Sequence, residues 1–265
     1  MPRPDWPDSW RRSFAYDEME VFGGGRNVGY AYSYEQRAIA TLKLVREVSS
    51  AGARILDVAA AQGNFTLRMA EGGYRVTWND LRSELQPYVR SKHERGDVEY
   101  RPGNILELRF DTQFDTILVA EVIEHVAHPD QFLAAIVDLV KPGGHIVLTT
   151  PNGAYFRNRS PRFSETRDPA IFESMQFQPD ADGHIFLLHD DEIAALAAFV
   201  GLEVCSIQFL VSPILKGALG LAAVTRYLPR WFIKALDSLV RLLPGKLRRV
   251  LLMQLVILLK KPHHP

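Results

Sequence analysis

The stretch RILDVAAAQGN occupies residues 54–64. Ile55, Leu56 and Val58, interrupted by Asp57, make a short apolar run of strand length. Residues 59–63 are small or flexible and read as a loop, and Asn64 opens a helix to Glu71 that Gly72-Gly73 stops. A strand, a tight loop and a helix in that order form a βα unit whose loop has the size to cradle a phosphate or a nucleoside.

The same alternation repeats outward from this unit. Strands are predicted at Tyr74–Trp78, Val98–Arg101, Phe114–Ala120 and His145–Thr150. Helices are predicted at Ser83–Ser91, with Pro87 arguing against a continuous rod, and from Pro129 to Val140. Upstream lies a helix at Tyr34–Val48, preceded by an irregular lead-in over 1–33 whose Gly23-Gly24-Gly25 reads as a flexible turn, with a ligand-covering lid as the alternative. Downstream, 151–188 is a long connection. A helix at Asp190–Val200, a strand at Leu202–Leu210 and a last strand at Leu251–Lys260 follow. Buried apolar strands alternating with helices predict an α/β, doubly wound, mostly parallel sheet of seven strands, with a helical insertion before the last one. The chain divides into a lead-in and helix (1–50), a core (51–210), an insertion (211–250) and a final strand with tail (251–265). Ligands of such sheets sit at the carboxyl ends of the strands, which directs attention to 57–63, 79–80, 103–105, 120–125 and 151–152.

The composition is that of an ordinary globular protein, 47% hydrophobic and 23% charged with no formal net charge, so the overall balance calls for no nucleic acid. One cysteine, Cys205, excludes an intrachain disulfide and a Cys-built metal site. The N-terminus has no apolar leader, and the late apolar run 250–259 is broken by Gln254 and too short to span a bilayer. A cytoplasmic protein is expected.

A dinucleotide site would want Gly-x-Gly-x-x-Gly, and the three positions here are Ala59, Ala61 and Asn64. The segment Asp57-Val58-Ala59-Ala60-Ala61-Gln62-Gly63 instead resembles the first motif of class I S-adenosylmethionine-dependent methyltransferases, with two of its glycines replaced by alanine. Asp80, 23 residues after Asp57, stands where that resemblance implies a ribose-binding acid. Asn104 and Ile105 stand where it implies adenine contacts, and Lys141-Pro142-Gly143-Gly144 is also typical. The resemblance covers about 50–152 well and 184–210 loosely. It implies a Rossmann-like methyltransferase fold and a cofactor crevice lined by Asp57, Ala59, Ala61, Gly63, Asp80, Asn104, Ile105 and Glu121. Local capping by Asp57 and a turn role for Asp80 are the structural alternatives.

At the end of the fourth strand the chain reads AEVIEHV (120–126). Glu121, Glu124 and His125 at i, i+3 and i+4 share one face at helical spacing. Two carboxylates crowded together need a positive group between them, and an oxygen-and-nitrogen set suits a divalent cation such as Mg²⁺. His184, in Asp182-Gly183-His184-Ile185-Phe186, offers a further ligand. This turn is similar to one in the ubiquinone-pathway O-methyltransferases. Together with Thr150-Pro151-Asn152 and His184 it is also similar to the small-RNA 3′-terminal 2′-O-methyltransferases. Carried over, the metal ligands are Glu121, Glu124, His125 and His184, with Glu124, His125 and His184 catalytic. The alternatives are a metal-free general base at His125 and a purely structural turn.

Residues 211–250 hold eight cations (Lys216, Arg226, Arg230, Lys234, Arg241, Lys246, Arg248, Arg249) against one acid, Asp237. Arg230, Lys234, Asp237 and Arg241 share one helical face, and Phe232, Leu236, Leu239 and Leu243 the other. Such a helix suits a peripheral contact with an anionic membrane, a cap over the active site, or RNA, although the aromatic-interleaved platform for single strands is missing. The reading that follows is O-methylation of a hydroxyl on a small, aromatic or lipid-linked acceptor. An RNA-terminal 2′-O-methyltransferase and a non-catalytic cofactor-binding subunit are the alternatives.

Overall fold

The computed structural model describes residues 3–22, 28–176, 183–213 and 242–263, together with 232, 235 and 238–240. Seven strands form one sheet in the order β3-β2-β1-β4-β5-β7-β6. They are β1 (Arg54–Val58), β2 (Arg75–Trp78), β3 (Asp97–Tyr100), β4 (Phe114–Ala120), β5 (Val140–Pro151), β6 (Glu203–Leu210) and β7 (Gln254–Lys260). The first five run parallel, and β7 lies antiparallel between β5 and β6.

Alternation along the central strands separates two faces. Leu56, Val58, Ile117, Val119, Ile146 and Leu148 point to α5 (Pro129–Leu139) and α6 (Asp190–Phe199). Ile55, Leu118, Val147 and Val256 point the other way, to α2 (Val28–Val48) and α3 (Asn64–Glu71). Because both faces are covered by helices, β4 is apolar almost without interruption, and the sheet is doubly wound as expected. Strand order reverses between β1, whose chain leads to β2, and its other neighbour β4, which opens the crevice at the carboxyl ends of these two strands.

Several elements differ from expectation. The lead-in is not irregular throughout, since α1 (Asp8–Glu20) is a helix. It is stabilised by partners distant in sequence: Trp6 and Trp10 meet the Tyr88 ring edge-on, and Trp10 Nε1 donates to the Glu84 carbonyl at 2.8 Å. The next helix, α2, begins at Val28 rather than Tyr34. Helix α4 (Leu85–Lys92) keeps Pro87 in its first turn, where an N–H has no intrahelical partner to lose. Strand β5 starts at Val140, not His145, because Val140 already pairs with Phe114 and the Gly143 amide donates to the Lys261 carbonyl. The last strand starts at Gln254, since Gly245–Leu251 forms a helix, α7. The triple glycine, Asp182, and the cations Lys216, Arg226, Arg230, Lys234 and Arg241 lie outside the described residues.

Candidate active site

The β1–α3 loop carries three left-handed residues: Ala59 (φ 51°), Ala61 (φ 46°) and Gly63 (φ 74°). The two alanines adopt the backbone that glycine would supply, at a steric cost that the surroundings must offset. They are pinned from below. The Ala60 amide donates to the Asn79 carbonyl at 2.7 Å, the Ala61 amide to Asp80 Oδ2 at 2.8 Å, and Trp78 Nε1 to the Ala61 carbonyl at 3.1 Å. Gly63 abuts Val89 so closely that a Cβ would lie 2.5 Å from its Cγ1.

Asp57 is buried and accepts a 2.6 Å bond from Thr66 Oγ1. Desolvation pushes its carboxyl up to about 7, the Thr66 hydrogen bonds opposing that and Asp80 adding to it. Asp80, also buried, ends β2 as expected, but both of its oxygens are occupied. Arg82 forks onto them at 2.9 and 3.1 Å, and the Ala61 and Arg82 amides add to this. The guanidinium is more than a third exposed, so a ribose diol would meet a carboxylate whose displaceable partner is Arg82. Asn104 is turned to local use: its Oδ1 accepts from the Leu106 amide and its Nδ2 donates to Glu107. Ile105 packs into the core beneath the crevice.

The two carboxylates of the AEVIEHV turn take different partners. Glu121, at φ 57°, faces Arg37 of α2 (2.7 Å) and accepts from Thr149 Oγ1 (2.9 Å) and Gln254 Nε2. Its carboxylate is not among the ligand atoms that cluster around Glu124, His125 and His184. Residues 123–125 form a 3₁₀ turn, so the helical spacing behind the expected shared face does not apply. Glu124 is fully buried, its Oε2 accepts from Thr150 Oγ1 at 3.0 Å, and its Oε1 has no partner. Desolvation first, then the charge of Glu121, raises its pKa well above the usual carboxylate range. His125 is held by a 3.1 Å contact between Nδ1 and the Gly183 carbonyl, and its ring lies 5.0 Å from that of His184. Glu124, His125 and His184 each place a ligand atom within 4.8 Å of the others. Metal–ligand bonds of about 2.0–2.2 Å require donor separations of roughly 3–4 Å, so the cluster would tighten on binding a cation. The unpartnered Glu124 oxygen and the mixed O/N donor set fit a divalent cation.

Sequence reasoning missed Glu20, Arg37 and Arg82 as neighbours of the crevice. Gln254, the one polar residue breaking an apolar strand, was a legible signal for a buried polar partner. Asn152, from the Thr-Pro-Asn motif, is structural: its Nδ2 bonds the Arg249 and Leu252 carbonyls, tying β5 to the approach to β7.

The sequence model of a family described as a methyltransferase domain matches residues 30–207. A ubiquinone biosynthesis O-methyltransferase of Xanthomonas euvesicatoria is 32% identical over 150 residues, covering 53% of this chain and 63% of that protein. One of the same name from Dechloromonas aromatica is 39% identical over 110 residues, covering 40% and 47%. The chain thus spans less than two thirds of these relatives. Among solved structures, the N-methyltransferase NodS from Bradyrhizobium japonicum in complex with S-adenosyl-L-homocysteine superposes with a TM-score of 0.57 at 16% identity, over 96% of this chain and 97% of that one. The [4+2]-cyclase SpnF superposes at 0.56 with 19% identity, over 98% of each chain. At these identities the structural matches establish the fold alone, and a cyclase among them separates fold from activity.

Proposed function

The chain belongs to the methyltransferase-domain family, and we propose from that premise that it transfers a methyl group from S-adenosylmethionine to a hydroxyl of a small acceptor. The observation that carries the reading is the meeting of Glu124, His125 and His184 beside the cofactor crevice. The names of the curated relatives favour oxygen as the methyl acceptor.

The cofactor supplies an electrophilic methyl group on a sulfonium. The β1–α3 loop and Asp80 receive its nucleoside, and Arg82 yields the Asp80 oxygens to the ribose. Glu124, His125 and His184 would hold a divalent cation, which would lower the pKa of a bound hydroxyl and fix its orientation. Thr150 holds one Glu124 oxygen and leaves the other, buried and unpartnered, for a ligand. The Gly183 carbonyl holds His125 by Nδ1, which leaves Nε2 for the cation or for the acceptor proton. Closely placed reactants account for much of the remaining acceleration.

A lipid-linked acceptor has separate support. Leu239, Leu242 and Leu247 are exposed large apolar side chains in a region whose sequence is strongly basic, a combination that suits peripheral contact with an anionic bilayer. Among the described residues no helix is long and apolar enough to cross a membrane.

The test is methyl transfer from labelled S-adenosylmethionine to catechols with and without an isoprenoid tail, and to an RNA 3′ terminus, with and without chelator. Chelator-sensitive labelling of a catechol oxygen is expected. Labelling of RNA alone would move the reading to 2′-O-methylation, and labelling that ignores chelator would remove the cation.

A further inference from the structure

We propose that α1 braces the glycine-poor cofactor loop, with Glu20 as its positioning residue; this rests on the reading of that loop as the S-adenosylmethionine site. Two alanines in the left-handed region persist only where surrounding structure over-determines them. From the sheet side, Asn79, Asp80 and Trp78 supply part of that restraint. From the opposite side it comes from α1. Glu20 Oε2 accepts from Gln62 Nε2 at 2.7 Å and from Asn64 Nδ2 at 2.9 Å, while Oε1 accepts from Tyr30 of α2 at 2.8 Å. One carboxylate thus grips the two residues flanking Gly63.

The other end of the Asn64 amide is held by the same helix at one remove. Asn64 Oδ1 accepts from Lys92 Nζ at 3.2 Å, and Lys92 pairs with Asp17 of α1 at 2.7 Å. Asp17 is buried and also accepts from Tyr88 at 2.6 Å. Asp17 and Glu20, three residues apart, lie on neighbouring positions of one helix face. The docking of α1 and the shape of the loop are therefore one hydrogen-bonded unit, and α1 does for this loop what additional glycines would do by relieving strain. Asp17 serves to seat the helix, and Glu20 touches the loop.

The experiment uses the full chain. S-adenosylhomocysteine affinity is measured by calorimetry for Glu20→Ala and Glu20→Gln, each in the native loop and in an Ala59→Gly/Ala61→Gly loop. Exchange of α1 amides is followed with and without S-adenosylhomocysteine. Glu20→Ala is expected to weaken binding about tenfold, the worth of one charge-assisted hydrogen bond, and Glu20→Gln about threefold because an acceptor remains. In the glycine loop the loss is expected to shrink to within about twofold, the coupling that a shared strain demands. Bound S-adenosylhomocysteine is expected to slow α1 exchange, and kcat at saturating cofactor to change less than KM. Native affinity in Glu20→Ala, or an equal loss in both loops, overturns the brace while leaving the cofactor reading intact. If Glu20→Ala does not fold, Glu20→Gln and wild-type exchange decide: unchanged α1 exchange on binding overturns the brace. Absence of S-adenosylhomocysteine binding by the wild type overturns the cofactor reading itself, and the brace with it.

Discussion

Replacing Gly63 by alanine isolates the two constraints that this position carries. Its φ of 74° is left-handed, and its Cβ would stand 2.5 Å from Val89 Cγ1, 3.2 Å from Cγ2 and 3.5 Å from Cβ. Val89 is fully buried beside Trp78 and Leu85, so it has little room to retreat. The left-handed backbone costs a residue with a Cβ roughly 1–2 kcal/mol. Overpacking adds about 1–3 kcal/mol, and the lower unfolded-state entropy of alanine returns about 0.4–1 kcal/mol. The net loss is about 1–4.5 kcal/mol, less than the roughly 5–15 kcal/mol that holds a typical domain folded. For a domain of this size that lowers Tm by roughly 2–18 °C. Urea titration followed by tryptophan fluorescence reads the loss directly. The cycle with Val89→Ala divides it: relief of the clash should appear as a favourable coupling of about 1–3 kcal/mol, and the backbone part should persist. A Gly63→Ala protein within about 0.5 kcal/mol of wild type, or strict additivity with Val89→Ala, would refute the reasoning.

Asp57 makes stability depend on pH. Its folded pKa of about 7 lies above the ordinary 3.8, so the folded state binds the extra proton between these values and stability falls as pH rises from about 4 to about 7. Thermal melts across that range should show the fall, bounded at about 4 kcal/mol, and Asp57→Asn should flatten it; an Asp57→Asn profile parallel to wild type would place the titration elsewhere. Glu124→Gln should abolish stoichiometric binding of Mg²⁺, Mn²⁺ or Zn²⁺ in calorimetry, yet leave the metal-free Tm equal or higher, because it neutralises a buried carboxyl with an unpartnered oxygen. Retained stoichiometric binding would remove Glu124 from the ligand set. Co-sedimentation with phosphatidylglycerol vesicles should exceed that with neutral vesicles and weaken with salt, and the double variant Leu239→Ser/Leu242→Ser should reduce it. Equal recovery on both vesicle types would argue for a cap over the active site instead.

Much of this molecule is written locally. Strands β1 and β4, helix α3, the glycine stop at 72–73 and the positions of Asp57 and Asp80 follow from apolar period and turn chemistry, which act over a few residues and survive any arrangement of the rest. What the tertiary structure decided lies where partners are far apart in sequence. Helix α1 has little apolar periodicity of its own and is held by Tyr88, Lys92, Gln62 and Asn64, so no window of its own sequence could reveal it. The left-handed backbone of Ala59 and Ala61 runs against their intrinsic preference and is imposed by Asn79, Asp80 and Trp78. The two carboxylates of AEVIEHV are alike as letters. Glu121, on a left-handed backbone ahead of the 3₁₀ turn, pairs with Arg37 and Gln254, and Glu124, inside that turn, is buried near His125 and near His184 from a segment some sixty positions on. Charge pairing across the fold, rather than spacing along the chain, determines which of them faces a ligand.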